Sequence, residues 1–140
     1  MRVFLDTNVL ASAAAARGLC ADVLREVFAS HELIISDYVI EELKRVLTNK
    51  FGVPQDMIEE YIWLLHQDSV VIREADPPSV RLKDESDIPI LGAAVVAKAD
   101  VLVTGDLELQ GLGQIGGLHI LSPRGFWEKL RAHHDSPGEG

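Results

Sequence analysis

Apolar segments of two kinds alternate along the chain, and they predict strands that alternate with helices. Short runs rich in β-branched residues indicate buried strands, whereas apolar residues spaced three and four positions apart indicate amphipathic helices. Such alternation is typical of a parallel sheet with helices on both faces. The predicted strands are 2–5, 32–35, 70–72, 101–103 and 118–121, and the predicted helices are 9–16, 21–30, 37–48, 55–67, 86–99 and 123–132.

We therefore predict an α/β fold of three layers, α/β/α, with a central parallel sheet of about five strands. A chain of 140 residues, 47% of them hydrophobic, suits one domain with a single core. The domain is predicted to span residues 1–132 and to be followed by a flexible tail at 133–140. Four glycines between positions 111 and 117 predict a loop before the last strand.

The balance of charge is acidic, with 22 Asp and Glu against 13 Lys and Arg and a formal net charge of −9. This argues against nucleic-acid binding, because phosphate contacts need Lys and Arg, unless carboxylates of the protein hold divalent cations. The single cysteine, Cys20, allows no disulfide within the chain and no cysteine zinc site. No apolar stretch reaches the roughly 18 residues that span a bilayer, so we expect a soluble cytoplasmic protein without a membrane partner.

Two aspartates come where predicted strands end: Asp6 closes the first apolar run, and Asp106 follows the fourth strand. Parallel sheets bind ligands outside the carboxyl ends of their strands, so both acids are predicted at the binding edge. Each of them could instead cap the helix that follows it.

A third acid, Glu42, belongs to the predicted helix 37–48, for which Ser36 is the predicted N-cap. On a helical wheel, Glu42 borders the apolar stripe, whereas Glu41 points away from it into solvent. Glu42 could instead form a surface ion pair with a neighbouring base. The stripe consists of Val39, Ile40, Leu43, Val46 and Leu47.

The fourth acid, Asp87, lies at the start of a predicted helix, where negative charge is favoured by the helix dipole. The helical wheel places it on the same face as Leu91, Ala94 and Val95, one turn before them. A carboxylate at the top of a core-facing stripe can reach the sheet edge, although interaction with the dipole alone would also explain it.

Four carboxylates directed at one sheet edge predict a metal site. Two like charges ~4 Å apart repel by about 4 kcal/mol at an effective dielectric constant near 20, so the cluster needs cations. Oxygen ligands suit Mg²⁺ or Mn²⁺, which activate water and screen phosphate charge during phosphodiester hydrolysis. Thr7, Asn8 and Thr104 are predicted to orient the carboxylates or the attacking water, with turn formation as their alternative role.

Four short motifs follow one another along the chain: Leu5-Asp6-Thr7-Asn8, Ser36 followed by Glu42-Leu43, Asp87 ahead of Ile90-Leu91-Gly92-Ala93-Ala94, and Val103-Thr104-Gly105-Asp106. In this order they resemble the motifs of the PIN-domain family, and the resemblance covers nearly the whole chain, to about residue 130. Within that family the chain is similar to the toxin components of bacterial or archaeal toxin–antitoxin pairs related to the VapC toxins.

The resemblance implies a PIN-like fold and a metal-dependent endoribonuclease. It implies that Mg²⁺ or Mn²⁺ is bound by four catalytic acids, namely Asp6, Glu42, Asp87 and Asp106. It also implies an RNA substrate, a homodimer and a cognate antitoxin protein that inserts a segment into the active site.

The chain departs from the family pattern at two places. Glu108 stands where many relatives carry an aspartate, two residues after the last acid, so a further ligand at this position stays open. The segment 84–87 lacks the proline that commonly precedes the third acid, which leaves Asp84 as an alternative to Asp87; the helical wheel favours Asp87.

Other functions fit the motifs less well. A dehalogenase-type phosphatase places a second aspartate where Asn8 stands, and no glycine-rich phosphate loop follows any predicted strand. The alternative that stays open is a catalytically inactive PIN-like module that only binds a partner protein. An RNA substrate would approach through the metals or through a basic rim, whose candidates are Arg2, Arg17, Arg45, Lys50 and Arg81.

Overall fold

The computed structural model describes residues 1–72 and 87–134, which form a six-stranded sheet flanked by seven helices. The predicted α/β fold is confirmed. The strands are β1 (Arg2–Leu5), β2 (Glu32–Ser36), β3 (Ser69–Ile72), β4 (Val101–Val103), β5 (Gln114–Ile115) and β6 (Leu118–Leu121). The helices are α1 (Thr7–Ala15), α2 (Leu19–Ser30), α3 (Asp37–Asn49), α4 (Gln55–Gln67), α5 (Asp87–Val96), α6 (Leu107–Leu112) and α7 (Pro123–His134).

The strand order in the sheet is β3-β2-β1-β4-β6-β5, and all neighbours are parallel except β5 and β6. Strand β1 lies between β2 and β4, and Val3, Phe4 and Leu5 are fully buried. Because successive residues of a strand point to opposite faces, this burial shows that both faces of the sheet are covered. Leu5 pairs with Val103, so the carboxyl ends of β1 and β4 lie side by side.

Helix α3 follows β2 without a loop, since Ser36 ends the strand and caps the helix. The Ser36 hydroxyl accepts a hydrogen bond from the Val39 amide at 3.2 Å, which satisfies a backbone donor that the first turn would otherwise leave unpaired. The predicted cap is therefore confirmed. Of the predicted apolar stripe, four residues are buried and Val46 is half-buried; the buried ones are Val39, Ile40, Leu43 and Leu47.

Helix α5 buries a different stripe from the predicted one. Leu91 and Ala94 are buried as predicted, but Val95 is exposed, so its predicted core position is wrong. The buried face is centred near Ile90, because Ala93 and Ala94 lie on either side of it on the helical wheel and both are buried. Val95 lies past the edge of that face.

The segment predicted as a glycine-containing loop is mostly ordered structure, so that prediction is wrong. It forms the short helix α6 and the edge strand β5. Gly113 ends α6 with a φ of 68°, and Gly116, with a φ of 57°, turns the chain between β5 and β6. A six-residue helix and a two-residue strand are too short to leave a periodic pattern in the sequence.

Helix α7 runs to His134, two residues past the predicted domain boundary at 132. Residues 135–140 lie outside the described residues, as do Arg81 and Asp84, so the predicted flexible tail stays a prediction. None of the helices in the described ranges is both long and apolar enough to cross a membrane.

Candidate active site

Asp6 is a buried carboxylate at the carboxyl end of β1, with 5% of its surface exposed. Its Oδ1 accepts a hydrogen bond from the Thr7 amide at 2.6 Å, so the alternative role of Asp6 as the N-cap of α1 is confirmed. Its Oδ2 accepts a hydrogen bond from the Thr104 hydroxyl, also at 2.6 Å. Because Thr104 directly follows β4, this bond joins the ends of the two central strands.

Thr104 is fully buried and links the two aspartates that follow strands. Its hydroxyl donates to Asp6 and accepts from the Asp106 amide at 3.0 Å. Its carbonyl oxygen accepts from the Gln110 side-chain amide at 2.8 Å. With its donor and acceptor bonds both made, the hydroxyl has a defined orientation toward Asp6.

Asp106 caps α6, because its Oδ1 accepts from the Leu109 amide at 3.0 Å and its carbonyl oxygen accepts from the Gln110 amide at 3.0 Å. The capping role that the sequence left open is therefore confirmed for this acid too. Gln110 closes a ring of hydrogen bonds, since it contacts both Asp106 and Thr104. This ring fixes the turn that holds Asp106 beside Asp6.

Glu42 and Glu41 diverge as the helical wheel predicts. Glu42 is half-buried, and its Oε2 accepts a hydrogen bond from the Tyr38 hydroxyl at 3.2 Å. Glu41 is exposed and pairs with Lys44 at 3.3 Å. The surface ion pair considered for Glu42 is thus formed by its neighbour.

The pKa of Asp6 is raised above its ordinary value, chiefly because burial penalises the charged form. The hydrogen bonds from Thr104 and Thr7 act in the opposite direction. The negative charges of Glu42 and Asp106 raise the pKa of Asp6 further. An ionised Asp6 is therefore destabilised, chiefly by burial and to a smaller extent by the charges of these two acids.

The structure describes the other residues of the predicted site by their position and exposure. Asp87 is the first residue of α5, and its side chain lies outside what the structure describes. Asn8 is exposed in the first turn of α1, and Glu108 is half-buried in the first turn of α6. Thr7 is buried, and within residues 1–72 and 87–134 its hydroxyl has no hydrogen-bond partner.

The residues present fit a hard divalent cation in their donor chemistry. Asp6, Glu42 and Asp106 offer only oxygen atoms, and their mutual repulsion would be relieved by a positive charge. The unpaired Thr7 hydroxyl adds a buried polar atom next to Asp6. In the part of the chain that the structure describes, however, no three His, Cys, Asp or Glu side chains are grouped closely enough to hold an ion. The four-acid ligand set therefore stays a prediction.

Two residues of the site were missed by the sequence reasoning. Tyr38 lies four positions before Glu42 on α3, so the helical wheel could have paired them. Gln110 left no usable signal, because the segment that carries it was predicted as a loop.

One predicted rim residue lies at the wrong end of the sheet. Arg2 begins β1, about 13 Å of strand before Asp6, and its guanidinium pairs with Glu32 at 2.9 Å and donates to the Ala97 carbonyl oxygen. The prediction of Arg2 as a substrate contact is therefore wrong. The exposed residues that stay candidates are Arg17, Arg45 and Lys50.

Comparison with known proteins identifies the family. Residues 2–108 match the sequence model of the PIN domain, and they carry Asp6, Glu42, Asp87 and Asp106. The chain belongs to the PIN-domain family. A comparison of this PIN domain with curated proteins gives no match.

Solved structures support the same fold for this PIN domain. The VapBC2 complex of Rickettsia felis, bound to a DNA fragment from its promoter, gives a TM-score of 0.61 at 15% identity, over 86% of this chain and 97% of that one. VapC20 of Mycobacterium tuberculosis, described as a toxin that cleaves the sarcin–ricin loop, gives a TM-score of 0.61 at 14% identity, over 84% of this chain and 98% of that one. A domain of a functionally unknown protein from Methanocaldococcus jannaschii gives a TM-score of 0.56 at 18% identity, over 86% of this chain and 89% of that one.

Proposed function

We propose that this PIN domain is a metal-dependent endoribonuclease and the toxin of a toxin–antitoxin pair. The observation that carries the proposal is the buried carboxylate of Asp6. It accepts a hydrogen bond from the Thr104 hydroxyl, and its pKa is raised by burial and by the negative charges of Glu42 and Asp106. Asp6 and Thr104 directly follow β1 and β4, at the edge where parallel sheets bind ligands. The likeness of the fold to VapC20, a toxin that cleaves the sarcin–ricin loop, supports RNA as the substrate.

The catalytic set in this proposal is Asp6, Glu42, Asp87 and Asp106, which hold Mg²⁺ or Mn²⁺. Such a cation supplies, when bound, a lower pKa for water and a positive charge beside the phosphate. Thr104 orients the Asp6 carboxylate and lowers its pKa against the effect of burial, because its hydroxyl donates to Oδ2. In Asp106 the cap uses Oδ1, so we assign the ligand role to Oδ2.

Asn8, Thr7 and Glu108 have supporting roles in the proposal. Asn8 is exposed at the start of α1, where its amide can orient water or substrate. Thr7 follows Asp6 directly and has a buried hydroxyl. The Thr7 amide donates a hydrogen bond to Oδ1 of Asp6. Glu108 follows Asp106 by two residues and is a possible extra ligand.

The partners proposed are a cognate antitoxin protein and a second copy of the chain, in the cytoplasm. The fold is like that of VapBC2, a complex solved on promoter DNA, which supports a partner of this kind. The formal net charge of −9 favours a basic partner segment. We expect the antitoxin to present Arg or Lys to the carboxylates, so a bound antitoxin should weaken Mn²⁺ binding. Unchanged Mn²⁺ affinity in the complex would contradict this part.

The test is cleavage of a labelled single-stranded RNA pool with Mn²⁺ or Mg²⁺, compared with the same reaction in EDTA. The informative variant is Asp87→Asn, because the side chain of Asp87 lies outside what the structure describes. Glu41→Gln is the matched control, since it removes an equal charge from the exposed face of α3. Metal-dependent cutting that is lost only in Asp87→Asn supports the proposal; cutting that survives in that variant removes Asp87 from the catalytic set.

A second candidate function is a PIN-like module that binds a partner without cleaving RNA. One observation favours it: Asp6 and Asp106 both serve as helix caps, which explains their presence without a metal. The module predicts no metal-dependent turnover on any RNA. Absence of cutting across several RNA pools, together with antitoxin binding, would favour it.

A further inference from the structure

Tyr38 contacts the carboxylate of Glu42 from the preceding turn of α3. The two residues are four positions apart, and side chains at this spacing lie on the same face of a helix. The Tyr38 hydroxyl donates to Oε2 of Glu42 at 3.2 Å. The Tyr38 ring is half-buried and packs against the hydrophobic core, so the hydroxyl is held in place by the body of the protein.

We propose that Tyr38 is a positioning residue that holds the Glu42 carboxylate ready for the cation of the active site. The inference rests on the proposed function, because it assigns Glu42 to a divalent metal. It adds to that function a residue outside the acidic set.

The three acids differ in how they are held. Asp6 and Asp106 have short side chains, and each accepts a hydrogen bond from a backbone amide. Glu42 has a longer side chain with more rotatable bonds, and its carboxylate is restrained by the Tyr38 hydroxyl. Fixing this carboxylate before the cation arrives lowers the entropy that binding must remove.

The chemistry of a tyrosine suits this task better than that of a base. A lysine or arginine in the same place would neutralise Glu42 and compete with the cation for its oxygens. A neutral hydroxyl orients the carboxylate and leaves its negative charge available. Groups that orient metal ligands in this way typically contribute about 10- to 100-fold to metal affinity.

The test is Mn²⁺ binding to Tyr38→Phe, measured by isothermal titration calorimetry at neutral pH. Phenylalanine keeps the ring and its packing and removes the hydroxyl alone. We expect the dissociation constant for Mn²⁺ to rise about 10- to 100-fold with little change in melting temperature. The matched control is Tyr61→Phe, which removes a hydroxyl that donates to the Leu10 carbonyl oxygen at 2.8 Å and should leave Mn²⁺ affinity unchanged.

A double-mutant cycle shows whether Tyr38 acts through Glu42. Glu42→Gln should weaken Mn²⁺ binding by itself, and adding Tyr38→Phe to it should cause no further loss. In RNA cleavage, Tyr38→Phe should raise the Mn²⁺ concentration for half-maximal rate and regain the unchanged protein's rate at saturating Mn²⁺.

Two results would overturn the inference while leaving the proposed function intact. One is Mn²⁺ affinity in Tyr38→Phe equal to that of the unchanged protein. The other is an equal loss when Tyr38→Phe is added to Glu42→Gln, which would mean that the hydroxyl acts elsewhere. If the unchanged protein shows no saturable binding of Mn²⁺ or Mg²⁺, the proposed function fails and the inference fails with it.

Discussion

Replacing Thr104 with valine tests the contact that joins the two central strands at the candidate active site. Valine has nearly the same shape, so Thr104→Val removes a hydroxyl without opening a cavity. Two hydrogen bonds are lost, the one donated to the Asp6 carboxylate at 2.6 Å and the one accepted from the Asp106 amide at 3.0 Å. A bond to a charged group contributes about 1.5–3 kcal/mol, and leaving the part-buried Asp106 amide unpaired costs about 1 kcal/mol. We expect the free energy of unfolding to fall by about 3–4 kcal/mol.

The conservative control is Thr104→Ser, which keeps the hydroxyl and loses one methyl group. Its expected cost is about 1 kcal/mol from lost apolar burial and the small space left behind. For a chain of 140 residues, each 1 kcal/mol corresponds to about 3–4 °C in melting temperature. Thr104→Val should therefore melt about 9–16 °C below the unchanged protein, and Thr104→Ser about 3–4 °C below it.

The pH dependence of the melting temperature distinguishes the bond to the Asp6 carboxylate from the bond to the Asp106 amide. The Thr104 hydroxyl lowers the pKa of Asp6 against the effect of burial, so its loss raises that pKa further. The hydrogen bond from Thr104 is strong only while Asp6 is ionised. The difference in melting temperature between Thr104→Val and Thr104→Ser should therefore be largest at pH values above the pKa of Asp6 and should decrease as pH falls through it. Thermal melts in EDTA from pH 4 to pH 8 measure this difference. Equal melting temperatures for valine and serine at pH 7.5 would refute the reasoning.

Three further predictions follow from the site. Glu42→Gln should lower metal-dependent RNA cleavage by about 100-fold or more, whereas Glu41→Gln should leave it unchanged, as initial rates on one labelled RNA would show. At pH values above the raised pKa of Asp6, Asp6→Asn should raise the melting temperature in EDTA, because the ionised acid is destabilised there. The gain in melting temperature should vanish as pH falls through that pKa. A lower melting temperature at every pH would favour a role of Asp6 as a cap alone. Gln110→Ala should cost about 1–3 kcal/mol in urea unfolding, because the Thr104 carbonyl loses its 2.8 Å partner.

Local patterns in the sequence were sufficient for most of the elements and for part of the site. The strand that ends at Asp6 is a run of buried residues, and Ser36 is a capping residue placed directly before an amphipathic helix. Periodicity also separated Glu42 from Glu41, since adjacent residues of a helix point about 100° apart. These features depend on neighbours within a few positions, and such neighbours are visible in the chain itself. The same method failed for α6 and β5, because six and two residues are too few to show a periodic pattern.

The contacts that make the site were decided by the tertiary structure. The Thr104 hydroxyl and the Asp6 carboxylate are 98 positions apart, and they meet because β1 and β4 are neighbours in the sheet with Leu5 opposite Val103. No periodicity records which strands pair or in what register, because pairing depends on the packing of the whole core. The raised pKa of Asp6 has the same origin, since burial and the charges of distant acids exist only in the folded chain. The sequence by itself therefore determined that Asp6 and Asp106 follow strands and that Glu42 borders a buried helix face, and the tertiary structure decided which groups these carboxylates bond to.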